Sequence, residues 1–255
     1  MYGTKVRLRR IFPSDRHRLF SVPLDHSVSM GPIDGLEATA PLARELQDAG
    51  VDLLIVTKGA VRDVIPVLAP RTLIGIHLSA STSLGSSANR KVLVGTAQEV
   101  VQLGGDLMSV QVNFGVPEEP EMLRDLGVAV DQCRALGLPL LCMAYVTSSG
   151  GGTPDELRHA ARASADLGAD IVKTSYPGSV DEFRRLVRTT PVPVLIGGGA
   201  RAEDESQFLS RVQAAVDAGA GGICIGRNLF QRAPVGPLAR KVAAILHGLG
   251  TGDAG

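Results

Sequence analysis

Eight short runs of aliphatic and β-branched residues alternate along the chain with longer segments that have the period of a helix. This alternation is typical of repeated βα units around a parallel sheet. Most runs are apolar at nearly every position, as expected for strands covered on both faces. The predicted strands are Leu19–Leu24, Val51–Val56, Leu73–Leu78, Leu107–Val112, Leu138–Ala144, Asp170–Lys173, Val192–Ile196 and Gly222–Ile225.

A short repeat favours a closed sheet over an open one. The second, fourth, sixth and eighth strands each follow a glycine that can end the preceding helix as a C′ residue. This even and odd alternation fits an α/β fold of the (βα)8 TIM barrel type. An open doubly wound sheet would carry a GxGxxG turn after the first strand, where this chain reads DHSVSMG. The repeats are Gly50-Val51-Asp52, Gly104-Gly105-Asp106, Gly168-Ala169-Asp170 and Gly219-Ala220-Gly221.

One barrel can take almost the whole chain. We expect a basic N-terminal extension over residues 1–18, a single (βα)8 barrel over residues 19–248 and a flexible tail over residues 249–255. The basic KVRLRR segment of the extension has three interpretations, namely an interaction arm, a solvated extension across the bottom of the barrel, or a subunit contact.

Charge and hydropathy narrow the functional classes. The formal net charge is zero, so the chain has no surplus of basic residues for nucleic acid or an anionic membrane. No segment approaches about 18 continuous apolar residues, and no apolar run follows the basic N-terminus as in a signal peptide. The three cysteines form no CxxC pair. We therefore expect a cytoplasmic protein with reduced thiols and with no nucleic-acid or membrane partner.

Polar residues and glycines gather at the C-terminal ends of the predicted strands, where barrel enzymes build their active sites. They predict a binding mouth at this end. In strand order they are Asp25 and His26, Thr57 and Lys58, His77 and Ser79, Gln111 and Asn113, Tyr145, Lys173, Gly197 to Gly199, and Gly226 with Arg227.

Lys173 is unusual because the chain has only five lysines against 21 arginines and this one lies in an apolar strand. Alternation with Val172 can point it into the barrel. Burial is then expected to lower its pKa and give a neutral amine that forms a Schiff base with a carbonyl. The alternatives are a lysine that leaves the strand early and reaches solvent, or a plain ion pair with Asp25. Lys58 is a rival nucleophile, but its place in a loop favours a solvated or ligand-binding lysine.

Schiff-base chemistry also needs groups that move protons at the carbinolamine and enamine stages. Tyr145 ends the strand before that of Lys173, and Asp25 ends the first strand. Tyr145 could instead cap the pocket, and Asp25 could cap a helix or brace a loop. His26 more often braces the backbone than reacts, and His77 is expected to be a hydrogen-bonded interior residue. The spacing of His, Cys, Asp and Glu matches no metal site, so we expect neither metal nor other cofactor.

Two glycine turns at neighbouring strand ends predict a phosphate site. Gly197-Gly198-Gly199 lets backbone N–H groups approach an anion. Gly226-Arg227 precedes a short helical segment whose N-terminus adds donors and a favourable dipole. Barrels commonly hold a phosphate at this place. Either turn alone could merely reverse the chain.

In combination, these residues lie in stretches that resemble the archaeal-type class I aldolases, a family that includes fructose-bisphosphate aldolases and 2-amino-3,7-dideoxy-heptulosonate synthases. The resemblance implies Lys173 as the Schiff-base lysine, Tyr145 as the acid/base and Asp25 as the carboxylate that assists carbinolamine chemistry. It also implies phosphate binding by both glycine turns. The stretches, which span most of the chain, are VPLDHSVSMGPIDGL, HLSASTSLG, KVLVGTAQEV, SVQVNFG, GLPLLCMAY, GADIVKTSYPGS, IGGG and IGRNLFQR.

Within that family, the SASTSLG and KVLVGT runs look more like the heptulosonate synthases, and like similar enzymes of aminohydroxybenzoate biosynthesis, than like the glycolytic aldolases. This resemblance implies a phosphorylated C3 ketose donor such as dihydroxyacetone phosphate and L-aspartate semialdehyde as the acceptor. We also expect a homo-oligomer. One departure is Tyr145-Val146-Thr147, where family members often have proline, arginine and glycine after the tyrosine, so a cation that could meet the acceptor is missing.

The acceptor side of the mouth carries neutral hydrogen-bonding groups. Ser79 and Ser81, together with His26, are expected to contact substrate. Neutral groups suit a small zwitterion better than a second phosphate, although Lys58 or Arg90 could reach this side. Three other functions stay open, which are fructose-1,6-bisphosphate cleavage, the thiolase-like acyl transfer of another branch of the family, and non-catalytic binding of sugar phosphates.

Overall fold

The computed structural model, which describes residues 2–14, 18–147, 151–199 and 204–248, contains eight parallel strands closed into a barrel. Its strands are β1 (Leu19–Pro23), β2 (Leu53–Thr57), β3 (Leu73–His77), β4 (Ser79–Ala80), β5 (Val92–Leu93), β6 (Leu107–Phe114), β7 (Leu140–Val146), β8 (Ile171–Thr174), β9 (Val194–Gly197) and β10 (Gly222–Cys224). The order around the barrel is β1-β10-β9-β8-β7-β6-β3-β2, and β4 pairs with β5 in a separate antiparallel hairpin. The predicted TIM barrel is confirmed.

Helices follow the strands and pack on the outside of the barrel, which is the arrangement that buries both faces of a parallel sheet. Among the described residues no helix is long and apolar enough to cross a membrane. The helices are α1 (Tyr2–Ile11), α2 (Ser27–Met30), α3 (Thr39–Asp48), α4 (Val61–Val64) with a 3-10 turn at Ile65–Val67, α5 (Ala97–Gln102), α6 (Glu119–Leu136), α7 (Pro154–Asp166), α8 (Val180–Thr189), α9 (Glu205–Asp217), α10 (Arg227–Phe230) and α11 (Gly236–His247).

The glycine repeat ends helices as predicted. Gly50, Gly104, Gly168 and Gly219 have φ values of 92°, 80°, 111° and 88°, which lie in the region that favours glycine. Two of the strands that follow begin later than the apolar runs suggested. β2 begins at Leu53 and β8 at Ile171, whereas β6 and β10 begin at the predicted residues.

The aspartates of the same repeat join neighbouring strands, which the sequence analysis did not foresee. In three copies the Asp Oδ2 atom accepts a hydrogen bond from a backbone N–H at the start of the preceding barrel strand, and this bond helps to set the strand register. In the fourth copy Gly221 stands in place of aspartate, where a Cβ would lie 2.9 Å from Cβ of Pro193. The three bonds are Phe20 to Asp52 at 2.8 Å, Ile74 to Asp106 at 2.9 Å and Leu140 to Asp170 at 2.9 Å.

Helix α1 lies across the bottom of the barrel. Ile11 is 1% exposed and belongs to one apolar cluster with the inward-facing Leu19 and Leu53. Arg7 donates from Nη1 to the carbonyl of Gly137 at 2.8 Å. Of the three interpretations of the basic segment, the structure favours a segment across the bottom, packed as a helix rather than solvated. The predicted tail over residues 249–255 lies outside the described residues.

Replacing Ile11 with alanine is expected to lower the free energy of unfolding by about 2–5 kcal/mol, because it leaves a cavity beneath the barrel interior. Val6→Ala on the same helix is the matched control, since Val6 is 52% exposed. Its effect should stay within about 0.5 kcal/mol. Urea unfolding followed by circular dichroism measures both variants, and equal small effects would contradict the packing of α1 against the barrel.

Candidate active site

Lys173 stands at the top of an apolar barrel interior. Ile171 belongs to the inner cluster and Val172 to the outer core, so Lys173 faces inward as the alternation predicts. Its side chain emerges from within β8, and the residue is only 4% exposed. The alternative of a lysine that leaves the strand early and reaches solvent is therefore wrong.

The structure brings the predicted nucleophile and the predicted acid/base together. Nζ of Lys173 lies 5.7 Å from the centre of the Tyr145 ring and 3.7 Å from Sδ of Met143. Gly197 borders the same space, because a Cβ there would lie 3.4 Å from Cε of Lys173 and 3.7 Å from the Tyr145 hydroxyl. The missing side chain of Gly197 thus leaves room beside the amine and the phenol.

Asp25 enters the mouth from the end of β1 with a histidine on each side. Its Oδ1 lies 3.5 Å from Nδ1 of His26, and its Oδ2 lies 3.6 Å from Nδ1 of His77. His77 also contacts Oγ of Ser109 at 3.0 Å through the same nitrogen. Burial lowers the pKa of His26 to about 4 and also lowers the pKa of His77, although the carboxylate opposes both shifts. Both imidazoles are therefore neutral at pH 7.

Asp25 is ionised in this buried place. Burial by itself would raise the pKa of the carboxyl group, but interactions with His77, His26 and Lys173 outweigh burial and lower it. Because both imidazoles are neutral at pH 7, Lys173 is the neighbouring cation that stabilises the carboxylate.

The pKa of Lys173 contradicts the expectation of a neutral amine. Burial lowers it, but Cys224, Tyr145 and Asp25 together outweigh burial and raise the pKa above its ordinary value. Burial raises the pKa of the Cys224 thiol, so this group stays protonated at neutral pH and the carboxylate is the anion that stabilises the ammonium. The expectation failed because the apolar strand predicts burial alone. The resting lysine thus has the electrostatic partner, Asp25, that the ion-pair alternative named.

The two glycine turns lie side by side because β9 pairs with β10. Nδ2 of Asn228 donates to the carbonyl of Gly198 at 3.0 Å and joins the turns. A Cβ at Gly226 would lie 2.8 Å from Cε1 of His26, so this glycine permits the close approach of the histidine to the turn. Nε of Arg227 is buried and has no hydrogen-bond partner among the described residues. The residues predicted to bind phosphate therefore lie next to one another, and Nε of Arg227 is available to donate a hydrogen bond.

A cavity of about 200 Å³ opens beside the glycine turn of β9. Gly197, Gly198 and Gly199 line it together with Tyr176 and Arg211. The turn therefore borders open space as well as the Lys173 amine.

Ser79 and Ser81, predicted to contact substrate, lie in and just after β4. Oγ of Ser79 accepts from the N–H of Gln111 at 2.8 Å. Oγ of Ser81 donates to the carbonyl of Ala88 at 2.7 Å and accepts from Nζ of Lys91 at 2.6 Å. Both hydroxyls thus form hydrogen bonds with groups of the protein rather than pointing unpaired into the mouth.

Lys91 is a residue of the mouth that the sequence analysis missed. It is 8% exposed, and its Nζ donates to Oγ of Ser29 at 2.9 Å as well as to Ser81. Burial lowers its pKa, and Asp25 opposes that shift. The small number of lysines in the chain could have drawn attention to Lys91 as a candidate site residue. The rival Lys58 is half-exposed and pairs with Glu99 at 3.2 Å. Lys91 thus places a buried cation beside Ser81, among the neutral groups that the sequence predicted there.

Known proteins with similar sequences settle the family. The family model described as DeoC/LacD family aldolase matches residues 19–232. The chain belongs to the DeoC/LacD aldolase family. It is 38% identical to 2-amino-4,5-dihydroxy-6-oxo-7-(phosphonooxy)heptanoate synthase of Streptomyces griseus, over 98% of this chain and 92% of the relative. It is 36% identical to 2-amino-3,7-dideoxy-D-threo-hept-6-ulosonate synthase of Halobacterium salinarum, over 96% of this chain and 92% of the relative.

A solved structure agrees with the family. An archaeal fructose-1,6-bisphosphate aldolase, with its catalytic lysine covalently bound to the carbinolamine intermediate, superposes with a TM-score of 0.87 at 26% identity. The match covers 96% of this chain and all of that one. The protein is thus a class I aldolase, an enzyme that forms a Schiff base with its substrate and needs no metal ion.

Replacing Asp25 of this aldolase with asparagine is expected to lower the pKa of Lys173, because the change removes the anion that stabilises the ammonium and keeps the side-chain size. An NMR titration of ¹³C-labelled lysine, with the Lys173 signal assigned by its loss in Lys173→Arg, measures the shift. Asp181→Asn is the control, since that carboxylate is 84% exposed. An unchanged pKa in Asp25→Asn would show that another group holds the charge.

Proposed function

We propose that this aldolase joins dihydroxyacetone phosphate to L-aspartate semialdehyde. The S. griseus relative is named for a seven-carbon chain with an amino acid at one end, hydroxyls at C4 and C5, a ketone at C6 and a phosphate at C7. Formation of the C4–C5 bond by aldol addition builds that skeleton from these two substrates. The 38% sequence identity between the two proteins, which extends over 98% of this chain, supports the same reaction here.

The charge of the mouth is the observation that carries the proposal. Among the described residues, Lys173, Lys91 and Arg227 belong to one electrostatic network with a single carboxylate, Asp25, and with two neutral imidazoles. The network thus has a surplus of two positive charges. One phosphate monoester carries about two negative charges, and L-aspartate semialdehyde is a zwitterion without net charge. The two proposed substrates therefore match the mouth.

In the proposed mechanism, the Lys173 ammonium passes a proton to Asp25, and the neutral amine attacks C2 of the ketone. The carbinolamine that forms loses its hydroxyl as water when Tyr145 supplies a proton, which leaves an imine. Tyr145, now deprotonated, removes a proton from C3 and so gives an enamine. C3 of the enamine attacks the aldehyde carbon while Tyr145 passes its proton to the aldehyde oxygen. Water then hydrolyses the imine and releases the product and the amine. The phosphate is held by the glycine turns and Arg227.

Fructose-1,6-bisphosphate cleavage is the second candidate. The observation in its favour is Lys91, a second buried cation of the mouth that could meet a second phosphate. Against it stands the charge of this network, because two phosphates would exceed its positive surplus by about two negative charges.

Borohydride reduction in the presence of dihydroxyacetone phosphate is expected to attach the reduced triose to Lys173, as peptide mass spectrometry would show. Lys173→Arg should keep the fold and lose turnover, because a guanidinium stays protonated and cannot act as the nucleophile. Lys58→Arg is the matched control and should keep both. Attachment at Lys58 or Lys91 would overturn the assignment.

Steady-state assays should distinguish the two candidates. We expect kcat/KM for addition to L-aspartate semialdehyde to exceed that for glyceraldehyde 3-phosphate by at least about tenfold, because repulsion disfavours a second phosphate. Fructose-1,6-bisphosphate cleavage with an equal or higher kcat/KM would establish the second candidate instead.

A further inference from the structure

Lys91 has an ammonium whose charge no ion pair balances. Within the described parts of the chain, no carboxylate lies within salt-bridge distance of its Nζ, and both of its hydrogen-bond acceptors, Ser29 and Ser81, are neutral hydroxyls. An ammonium has three protons, so one donor remains available. A buried charge is costly unless an opposite charge compensates it. The electrostatic partner, Asp25, is already engaged by Lys173.

The position of Lys91 relates it to the acceptor. Ser29 lies in α2 after β1 and Ser81 lies after β4, so the amine joins two loops of the mouth. It interacts electrostatically with Asp25 and His77. Ser29 follows β1 and Ser81 follows β3 with its hairpin. These two strands flank β2, and β2 stands opposite β8, which carries Lys173. Lys91 therefore lies on the opposite side of the mouth from Lys173.

Hydrogen bonds within the protein hold this side of the mouth in place. The N–H of Leu93 in β5 donates to Oδ2 of Asp125 in α6 at 3.0 Å, and the N–H of Ser83 donates to the carbonyl of Ser29 at 3.0 Å. The hairpin and the loop after β1 are thus fastened to the barrel and to each other. A cation held in place in this way loses little entropy when it binds an anion.

We propose that Lys91 binds the carboxylate of the acceptor aldehyde and so selects an amino-acid aldehyde over one that lacks the carboxylate. The proposal rests on the proposed function. In the seven-carbon product the phosphate and the carboxylate stand at opposite ends, and the ketone that was joined to Lys173 lies next to the phosphate end. In the mouth, the glycine turns after β9 and β10 adjoin β8 with Lys173, and Lys91 lies on the opposite side from Lys173.

Lys91→Met tests this assignment because methionine keeps much of the length and apolar stem and removes the charge. With L-aspartate semialdehyde, kcat/KM is expected to fall about 10- to 100-fold, mainly through KM, as for the loss of a charge-assisted hydrogen bond. With 3-aminopropanal, which lacks only the carboxylate, kcat/KM of wild type and variant should agree within about twofold, because this aldehyde has no carboxylate for Lys91 to bind. Borohydride trapping of dihydroxyacetone phosphate at Lys173 should continue at the wild-type rate.

Lys58→Met is the matched control, since this lysine is half-exposed and binds the carbonyl of Val94 and Glu99. It should leave all three measurements unchanged. Lys91→Gln provides a second variant should Lys91→Met fail to fold, because its amide can still donate to the two serine hydroxyls without a charge. The same specific loss is expected from it.

Other outcomes overturn the proposal. An equal loss with both aldehydes, or slower imine trapping, would show that Lys91 only fastens the two loops. Failure of the wild-type enzyme to use L-aspartate semialdehyde would refute the proposed function itself. In that case the variants would be compared on glyceraldehyde 3-phosphate and glyceraldehyde. A loss confined to the phosphorylated aldehyde would assign Lys91 to a phosphate and overturn its assignment to a carboxylate.

Discussion

Eight parallel strands close into a barrel only when the side chains that point inward fill its interior, and this requirement positions the chemistry. The lower layers are apolar, and helix α1 covers them from beneath with Ile11. The next inward position of β8 after Ile171 belongs to Lys173, at the upper end of the packed interior. A charge at that depth needs a compensating group, and Asp25 from another strand supplies it. The packing of the barrel thus determines that Lys173 is buried, and its burial determines that the site needs the Asp25 carboxylate.

The fold could be predicted from the sequence because its signals are local. Strand runs and C′ glycines depend on residues close together in the chain, and all eight barrel strands were found. Strand limits were less accurate, since the apolar run before β2 begins at Val51 in the turn. The hydrogen bond from Phe20 to Asp52 was not foreseen, because it depends on which strands become neighbours.

The sequence was enough to predict which residues form most of the candidate site, but not the ionisation states of those residues. Lys173 and Tyr145 could be found because both stand at inward positions near strand ends. The direction of the Lys173 pKa shift was not predicted, because it depends on Cys224, Tyr145 and Asp25, which lie far apart in the chain. Lys91 was missed for a similar reason. It precedes a strand of only two residues, and its place over the mouth follows from contacts with Ser29 and Ser81 after folding.

The glycine repeat precedes the second strand of four neighbouring pairs, and the pair β9 and β10 differs from the other three. Gly221 replaces the aspartate there, so the carboxylate bond of the other three copies is missing between these two strands. The upper ends of the same two strands carry the glycine turns. A phosphate held between those turns would link β9 to β10 at the end opposite the missing bond. Donor binding would then add a link between two strands of the closed barrel, so substrate occupancy and resistance to unfolding would rise together in this enzyme.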